Sequence, residues 1–161
     1  MTQCDEAIRR QLHMPTVYIL VGYPGMGKTY FAKNTLMNSR RVYISSDDIR
    51  EEVCGDASDQ SCNATVFSIF YDRAYQAIEK GYDVILDATH LTKKSRRKCR
   101  DHFKRLKCKF IAVQMTTPVE EAIRRNKNRD RVVPNYAMSR MINSFQPVED
   151  DEGFDDIWRV N

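Results

Sequence analysis

Between Thr16 and Met37 the chain passes from an apolar run through a glycine loop into a helix-compatible stretch, and this restricts the fold more than any other feature. Thr16-Val17-Tyr18-Ile19-Leu20-Val21 has the β-branched and aromatic content of a buried strand. Gly22-Tyr23-Pro24-Gly25-Met26-Gly27-Lys28-Thr29 follows at once, and Tyr30 to Met37 suits a helix. The loop matches the Walker A pattern G-x-x-x-x-G-K-[ST], in the strand, loop and helix order that the pattern requires.

The residue types follow from the chemistry of holding a polyphosphate. Backbone N–H groups must wrap the anion, so Gly25 and Gly27 remove Cβ where the chain turns tightly against it. The following helix directs its N-terminal N–H groups at the same charge. Lys28 is placed to reach the β- and γ-phosphates of ATP or another NTP, and the Thr29 hydroxyl to ligate Mg²⁺.

A length of 161 residues suits one domain, residues 1–161. Three further apolar runs alternate with helical patterns: Arg41–Ser45, Asp83–Asp87 and Phe110–Met115. Helical spacing marks Ala64 to Lys80, Ser95 to Leu106, Pro118 to about Asn128, and Asn135 to Phe145. Alternation of this kind predicts an α/β fold with a mostly parallel four-stranded sheet flanked by helices. The signal before Pro15 is weak, a short helix or an arm. After Pro147 the chain is acidic but carries Phe154, Ile157 and Trp158, which are expected to dock on the body.

No apolar run approaches the roughly 18 residues of a membrane span. The first fifteen residues lack the apolar centre of a signal peptide. Five cysteines, an odd number without a C-x-x-C pair, indicate neither a disulfide frame nor a zinc site, and a reducing cytoplasm fits them best. Net charge is +4, concentrated in Lys93–Lys109 and in Arg124 to Arg131, while Glu149–Asp156 is acidic. A basic middle suits a nucleotide or nucleic acid, and equally a solvated helix face.

Ligands of parallel sheets bind beyond the carboxyl ends of the strands, which selects Gly22–Thr29, Ser45–Arg50 and Asp87–His90. Asp47 and Asp48 follow the second strand, where a carboxylate can orient a hydroxyl and accept its proton, or cap the next helix at Ser46 or Asp47. Arg50 shares a helix face with Asp47. Asp87 ends the third strand, a Walker-B-like position for holding Mg²⁺ through water. His90 follows as an acceptor contact or a structural histidine. Arg124, Arg125 and Arg129 lie where guanidinium groups can close over a transferring phosphate.

Together, Gly22–Thr29, Ser46-Asp47-Asp48-Ile49-Arg50, Asp87-Ala88-Thr89-His90-Leu91, Arg125-Asn126-Lys127-Asn128-Arg129, Val133-Pro134 and Glu152-Gly153-Phe154-Asp155 resemble the kinase domain of phage-type polynucleotide 5′-hydroxyl kinases and their AAA_33-type relatives. The resemblance runs from about Thr16 to Trp158. It implies a P-loop NTPase fold with a small arginine-bearing lid, and transfer of the γ-phosphate of an NTP to the 5′-hydroxyl of a DNA or RNA end. It also implies that Asp47 is the general base, that Arg50 positions that carboxylate and the acceptor's 3′-phosphate, and that Arg129, with Arg125 beside it, binds the nucleotide. This chain has Ser46 where the phage enzymes have a basic residue, and His90 where they have Asn. No D-x-D-G-T phosphatase motif is present, so 3′-end processing is not expected. A small-molecule kinase on the same scaffold and a non-catalytic NTP-binding module are the alternatives.

Overall fold

The computed structural model describes residues 2–161, with side chains for all of these but Arg10 and Gln11. Five strands form one sheet in the order β2-β3-β1-β4-β5: β1 Thr16–Val21, β2 Arg41–Ser45, β3 Asp83–Asp87, β4 Lys109–Met115 and β5 Asp156–Val160. Every neighbouring pair is parallel. Among the described residues seven α-helices accompany the sheet, α1 preceding β1 and the others lying between strands: α1 Gln3–Leu12, α2 Lys28–Phe31, α3 Ser46–Cys54, α4 Asn63–Glu79, α5 Lys93–Asp101, α6 Val119–Lys127 and α7 Asn135–Ser144. The helix after the phosphate loop changes winding at once, since α2 runs into a π-helical turn over Ala32–Leu36.

Alternation along β1 divides the core. Val17, Ile19 and Val21 face α4 and α5, packing with Val66, Phe70, Cys99 and Phe103. Tyr18 and Leu20 face the other side, against Ala32, Leu36, Ile85 and Val113. A parallel central strand covered on both faces must be apolar throughout, as Val17–Val21 is. Among the described residues no helix is long and apolar enough to cross a membrane.

Two sequence expectations are corrected. The sheet has five strands rather than four, because the acidic tail ends in β5 on the outer edge of β4. Trp158 of that strand packs on Tyr18, their ring centroids 5.6 Å apart. The second correction is that Cys54 and Cys62 are joined in a disulfide, with Cα atoms 6.8 Å apart. Gly55, at φ 72°, ends α3 and reverses the chain, and Asx turns at Asp56 and Asp59 return it to Cys62.

The tail is held by the basic helix. Arg96 is fully buried on α5; its Nε and Nη2 donate to the two carboxylate oxygens of Glu152 at 2.8 and 2.9 Å, and its Nη1 donates to the His90 carbonyl at 2.9 Å. Arg100 donates to the Glu152 carbonyl and lies over the Phe154 ring, and Lys93 pairs with Glu149 at 2.6 Å. Three cations of the run Lys93–Lys109 therefore serve the fold, while Lys94, Arg97 and Lys98 stay exposed.

Removing one partner of a buried ion pair strands the other charge. Glu152→Ala is expected to cost about 3–5 kcal/mol of stability, read as a fall in the urea midpoint. A cost below about 1 kcal/mol, the range of an exposed pair, would contradict this assignment.

Candidate active site

The carboxyl ends of β1, β2 and β3 open on one cavity of about 410 Å³. Its floor is Pro24, Gly25, Gly27, Lys28 and Thr29. Gly25 and Gly27 have φ values of 87° and 89°, which L side chains rarely adopt. A Cβ on Gly25 would also overlap the carbonyl oxygen of Ala122 in α6. The Thr117 hydroxyl donates to the Met26 carbonyl at 2.9 Å and fixes the loop from below. Tyr23 and Met26 turn their side chains into an apolar cluster with Met115, Ala122 and Met138. Of the loop residues singled out in the sequence, Gly22, Tyr23 and Met26 thus support the cradle from beneath and do not line it.

Lys28 donates to the Tyr23 carbonyl at 3.3 Å. Burial pushes its ammonium below the ordinary lysine value, Arg129 adds to that push, and Asp87 and Asp47 oppose it. Three predicted site residues therefore surround one cation. The Thr29 hydroxyl donates to Asp87 Oδ2 at 2.7 Å, and the Tyr43 hydroxyl donates to the same oxygen. Tyr43, which sequence reasoning passed over, is pushed well above the usual phenol range, first by burial and then by Asp87. Its only sequence signal is position: it lies two residues before the end of β2, opposite Ile85 of β3.

Thr29 and Asp87 fit Mg²⁺, because both present hard oxygen donors to the cavity side by side. Among the described residues no group of three His, Cys, Asp or Glu side chains is arranged to hold a metal unaided.

Asp47 lines the same cavity. The helix it occupies is capped by Ser45, whose hydroxyl accepts from the Asp48 amide at 3.2 Å, rather than by Ser46 or Asp47. That leaves the Asp47 carboxylate open to the cavity, its side chain 49% exposed. Arg50, one turn later, has a side chain only 5% exposed. Its Nη1 donates to Asp47 Oδ1 and its Nη2 to Asn63 Oδ1, both at 2.8 Å. Asn63, at the start of α4, is a supporting residue that helical periodicity alone does not mark.

From α6 and the segment after it, Arg125, Arg129 and Arg131 line the cavity, with Arg129 partly buried. Arg125 and Arg124 both pair with Glu121, which they hold down at about 2. Arg124 does not reach the cavity. Asn126 ties α6 to the segment before α7: its amide donates to the Val133 carbonyl at 2.8 Å and its oxygen accepts from the Val133 amide at 3.0 Å.

His90 takes the structural role. It is buried at φ 45°, and its Nδ1 donates to the Leu20 carbonyl at 2.7 Å. Burial pushes the ring down to about 4. The Nδ1–H is thus the donor of a neutral imidazole.

A second groove, of about 480 Å³, adjoins the cavity and shares Ala88 and Thr89 with it. Phe67 and Tyr71 of α4 form one wall and Ser95 and Lys98 of α5 another.

Residues 17–148 match the AAA_33 family, described as an AAA domain, and the chain belongs to that family. Among solved structures, it is similar to part of the Pnkp1/Rnl/Hen1 RNA repair complex, at 22% identity and a TM-score of 0.72, covering 82% of this chain and 44% of that one. The chain therefore spans less than half the length of that relative. A putative kinase from Chloroflexus aurantiacus gives a TM-score of 0.74 at 14% identity, covering 92% and 86%. The APS kinase CysC of Mycobacterium tuberculosis, in complex with AMPPNP and APS, gives 0.59 at 17%, covering 91% and 89%. The fold is that of the P-loop kinases.

A histidine buried neutral makes stability depend on pH. The unfolded chain binds a proton at His90 near its ordinary value of 6.5, and the folded chain only near 4. Stability from this group is whole above 6.5 and is lost as pH falls toward 4. His90→Asn retains a donor for Leu20 and tolerates positive φ. Between about pH 7 and pH 5 the wild type should lose about 2 kcal/mol more than this variant, measured by urea unfolding. Equal losses would contradict the neutral buried ring.

Proposed function

We propose that this AAA_33 member transfers the γ-phosphoryl group of ATP, or another NTP, to the 5′-hydroxyl of a DNA or RNA end. The observation that carries the reading is the Asp47 carboxylate. It opens onto the same cavity as Lys28 and Thr29, and a buried arginine holds it in place. A phosphate loop alone would serve any nucleotide-binding module. A fixed carboxylate lining the same cavity gives an acceptor hydroxyl somewhere to leave its proton.

The steps follow from the residues. Backbone N–H groups around Gly25 and Gly27 wrap the triphosphate, and Lys28 leaves the Tyr23 carbonyl for the β- and γ-phosphates. Thr29 and Asp87 would hold Mg²⁺, which supplies charge neutralisation on the phosphate oxygens when bound. Asp47 accepts the hydroxyl proton as the acceptor oxygen bonds to the γ-phosphorus. The bond from that phosphorus to the bridging oxygen breaks, and the nucleoside diphosphate leaves. Arg129, with Arg125 beside it, closes over the charge that spreads during transfer.

A polynucleotide acceptor is supported by the groove beyond Ala88 and Thr89, which adjoins the phosphate site and has one aromatic wall. The likeness to part of an RNA repair complex agrees with this choice of acceptor. A small hydroxylated metabolite is the second reading. It is favoured by the whole-length likeness to APS kinase, 89% of whose chain is covered.

Incubation with labelled ATP and 5′-hydroxyl oligonucleotides should give 5′-phosphorylated product. Asp47→Asn should lower turnover by about a hundredfold or more while nucleotide binding persists. Label transferred only to small hydroxylated compounds would favour the second reading, and full activity in Asp47→Asn would contradict the assigned base.

A further inference from the structure

Two links join α3 to the start of α4, and both bear on Asp47. One is the hydrogen bond from Arg50 Nη2 to Asn63 Oδ1 at 2.8 Å. The other is the disulfide between Cys54 and Cys62. Cys54 lies one helical turn after Arg50, so the two share a face of α3. Cys62 is the residue immediately before Asn63. The covalent link therefore fixes the backbone from which Asn63 reaches Arg50.

Side-chain hydrogen bonds give the connecting segment no other anchor among the described residues. Asp56 accepts from Ser58, Asp59 accepts from Ser61 and Cys62, and Gln60 accepts from Asn63, so those of residues 55–62 all end inside the segment or on Asn63. Ala57 is the segment's one buried residue. Arg50, for its part, depends on few partners. Its guanidinium is buried, Asp47 and Asn63 take one hydrogen bond each, and its Nε is buried without a partner. Loss of the Asn63 oxygen would leave a second nitrogen unpaired, a cost that a buried cation relieves by moving. Asp47 would move with it.

We propose that Cys54 and Cys62 form a redox-modification site that sets the position of Asp47 through Asn63 and Arg50. Both cysteines are half-buried, so a small thiol reaches the disulfide. One thiolate of a dithiol reductant attacks a sulfur, the Cys54–Cys62 bond breaks, and a mixed disulfide forms. The reductant's second thiolate then displaces the protein sulfur. Two electrons reach the protein, Cys54 and Cys62 each end as a thiol with one proton, and the reductant ends as a disulfide. A low-molecular-weight disulfide runs the same exchange in reverse. The oxidised form holds Asn63 against Arg50, and the reduced form releases the start of α4 and the guanidinium's second contact. A separation of 8 in sequence keeps the two sulfurs close enough to pair again. Control of turnover rests on the transfer reading above, whereas the structural link does not.

The test holds the full chain in oxidised glutathione or in dithiothreitol and compares wild type, Cys54→Ser/Cys62→Ser and Asn63→Ala. Peptide mass mapping should find Cys54 joined to Cys62 in the first buffer and both free in the second. Reduction should speed amide hydrogen exchange at the end of α3 and the start of α4 and leave the phosphate loop unchanged. It should also lower kcat for 5′-hydroxyl oligonucleotides about tenfold, the size of one lost contact to a charged group, with the KM for ATP unmoved. The double variant should match the reduced enzyme in both buffers. Asn63→Ala should be slow in both and should no longer respond to reduction. Free cysteines in oxidised glutathione, or exchange unaltered by reduction, would overturn the site. Altered exchange with unaltered kcat would overturn its control of the base. If no acceptor is phosphorylated in either buffer, the transfer reading falls and control of turnover with it, while the mapping and exchange results alone decide the structural link.

Discussion

Parallel pairing of β1 with β3 on one side and β4 on the other is the constraint from which the site follows. Parallel strands place all their carboxyl ends at one edge of the sheet, and their helices must return to the opposite edge. The phosphate loop after β1, the Asp47 helix after β2 and Asp87 at the end of β3 are therefore gathered by topology before any side chain chooses a partner. Register then sets their height. Ser45 lies opposite Asp87, and Ile19 opposite Leu86, so Thr29 and Tyr43 meet the same carboxylate oxygen.

Burial then decides which charged groups remain available for chemistry. Arg50 and Arg96 are both buried and both committed, one to the candidate base and one to the C-terminal tail. Asp47 and Lys98 lie at the surface of cavities and keep an open side. A basic helix that looks like a polyanion site in the sequence is thus divided. Its inward cations fix Glu152 and Phe154, and its outward ones face solvent and the groove.

The sequence carried the centre of the molecule well. Strands Thr16–Val21, Arg41–Ser45 and Asp83–Asp87 form over the residues that composition marks; Thr16–Val21 and Asp83–Asp87 are buried almost throughout, as parallel strands covered on both faces must be, while Arg41–Ser45 is a half-buried edge. Lys28, Thr29, Asp47, Asp87, Arg125 and Arg129 share one cavity as motif position suggests. The edge was less legible. Asp156–Val160 mixes charge with bulk and borrows its hydrogen bonds from β4, so no local pattern distinguishes it from a docked tail. The Cys54–Cys62 pair depends on a loop closed by Gly55 and two aspartates, and Tyr43 and Asn63 acquire their roles from contacts 44 and 13 residues away in sequence. Such couplings are set by the fold and have no periodicity of their own.

Phosphoryl transfer at this site depends on where an acceptor oxygen sits relative to Asp47 when a triphosphate is in the loop. A crystal structure with a non-hydrolysable ATP analogue, Mg²⁺ and a 5′-hydroxyl dinucleotide measures this directly. The account predicts the γ-phosphate between Lys28 and Arg129, and the 5′ oxygen within about 3 Å of an Asp47 carboxylate oxygen on the far side of the γ-phosphorus from its leaving oxygen. An acceptor oxygen placed against another group, with Asp47 turned toward solvent, would contradict it.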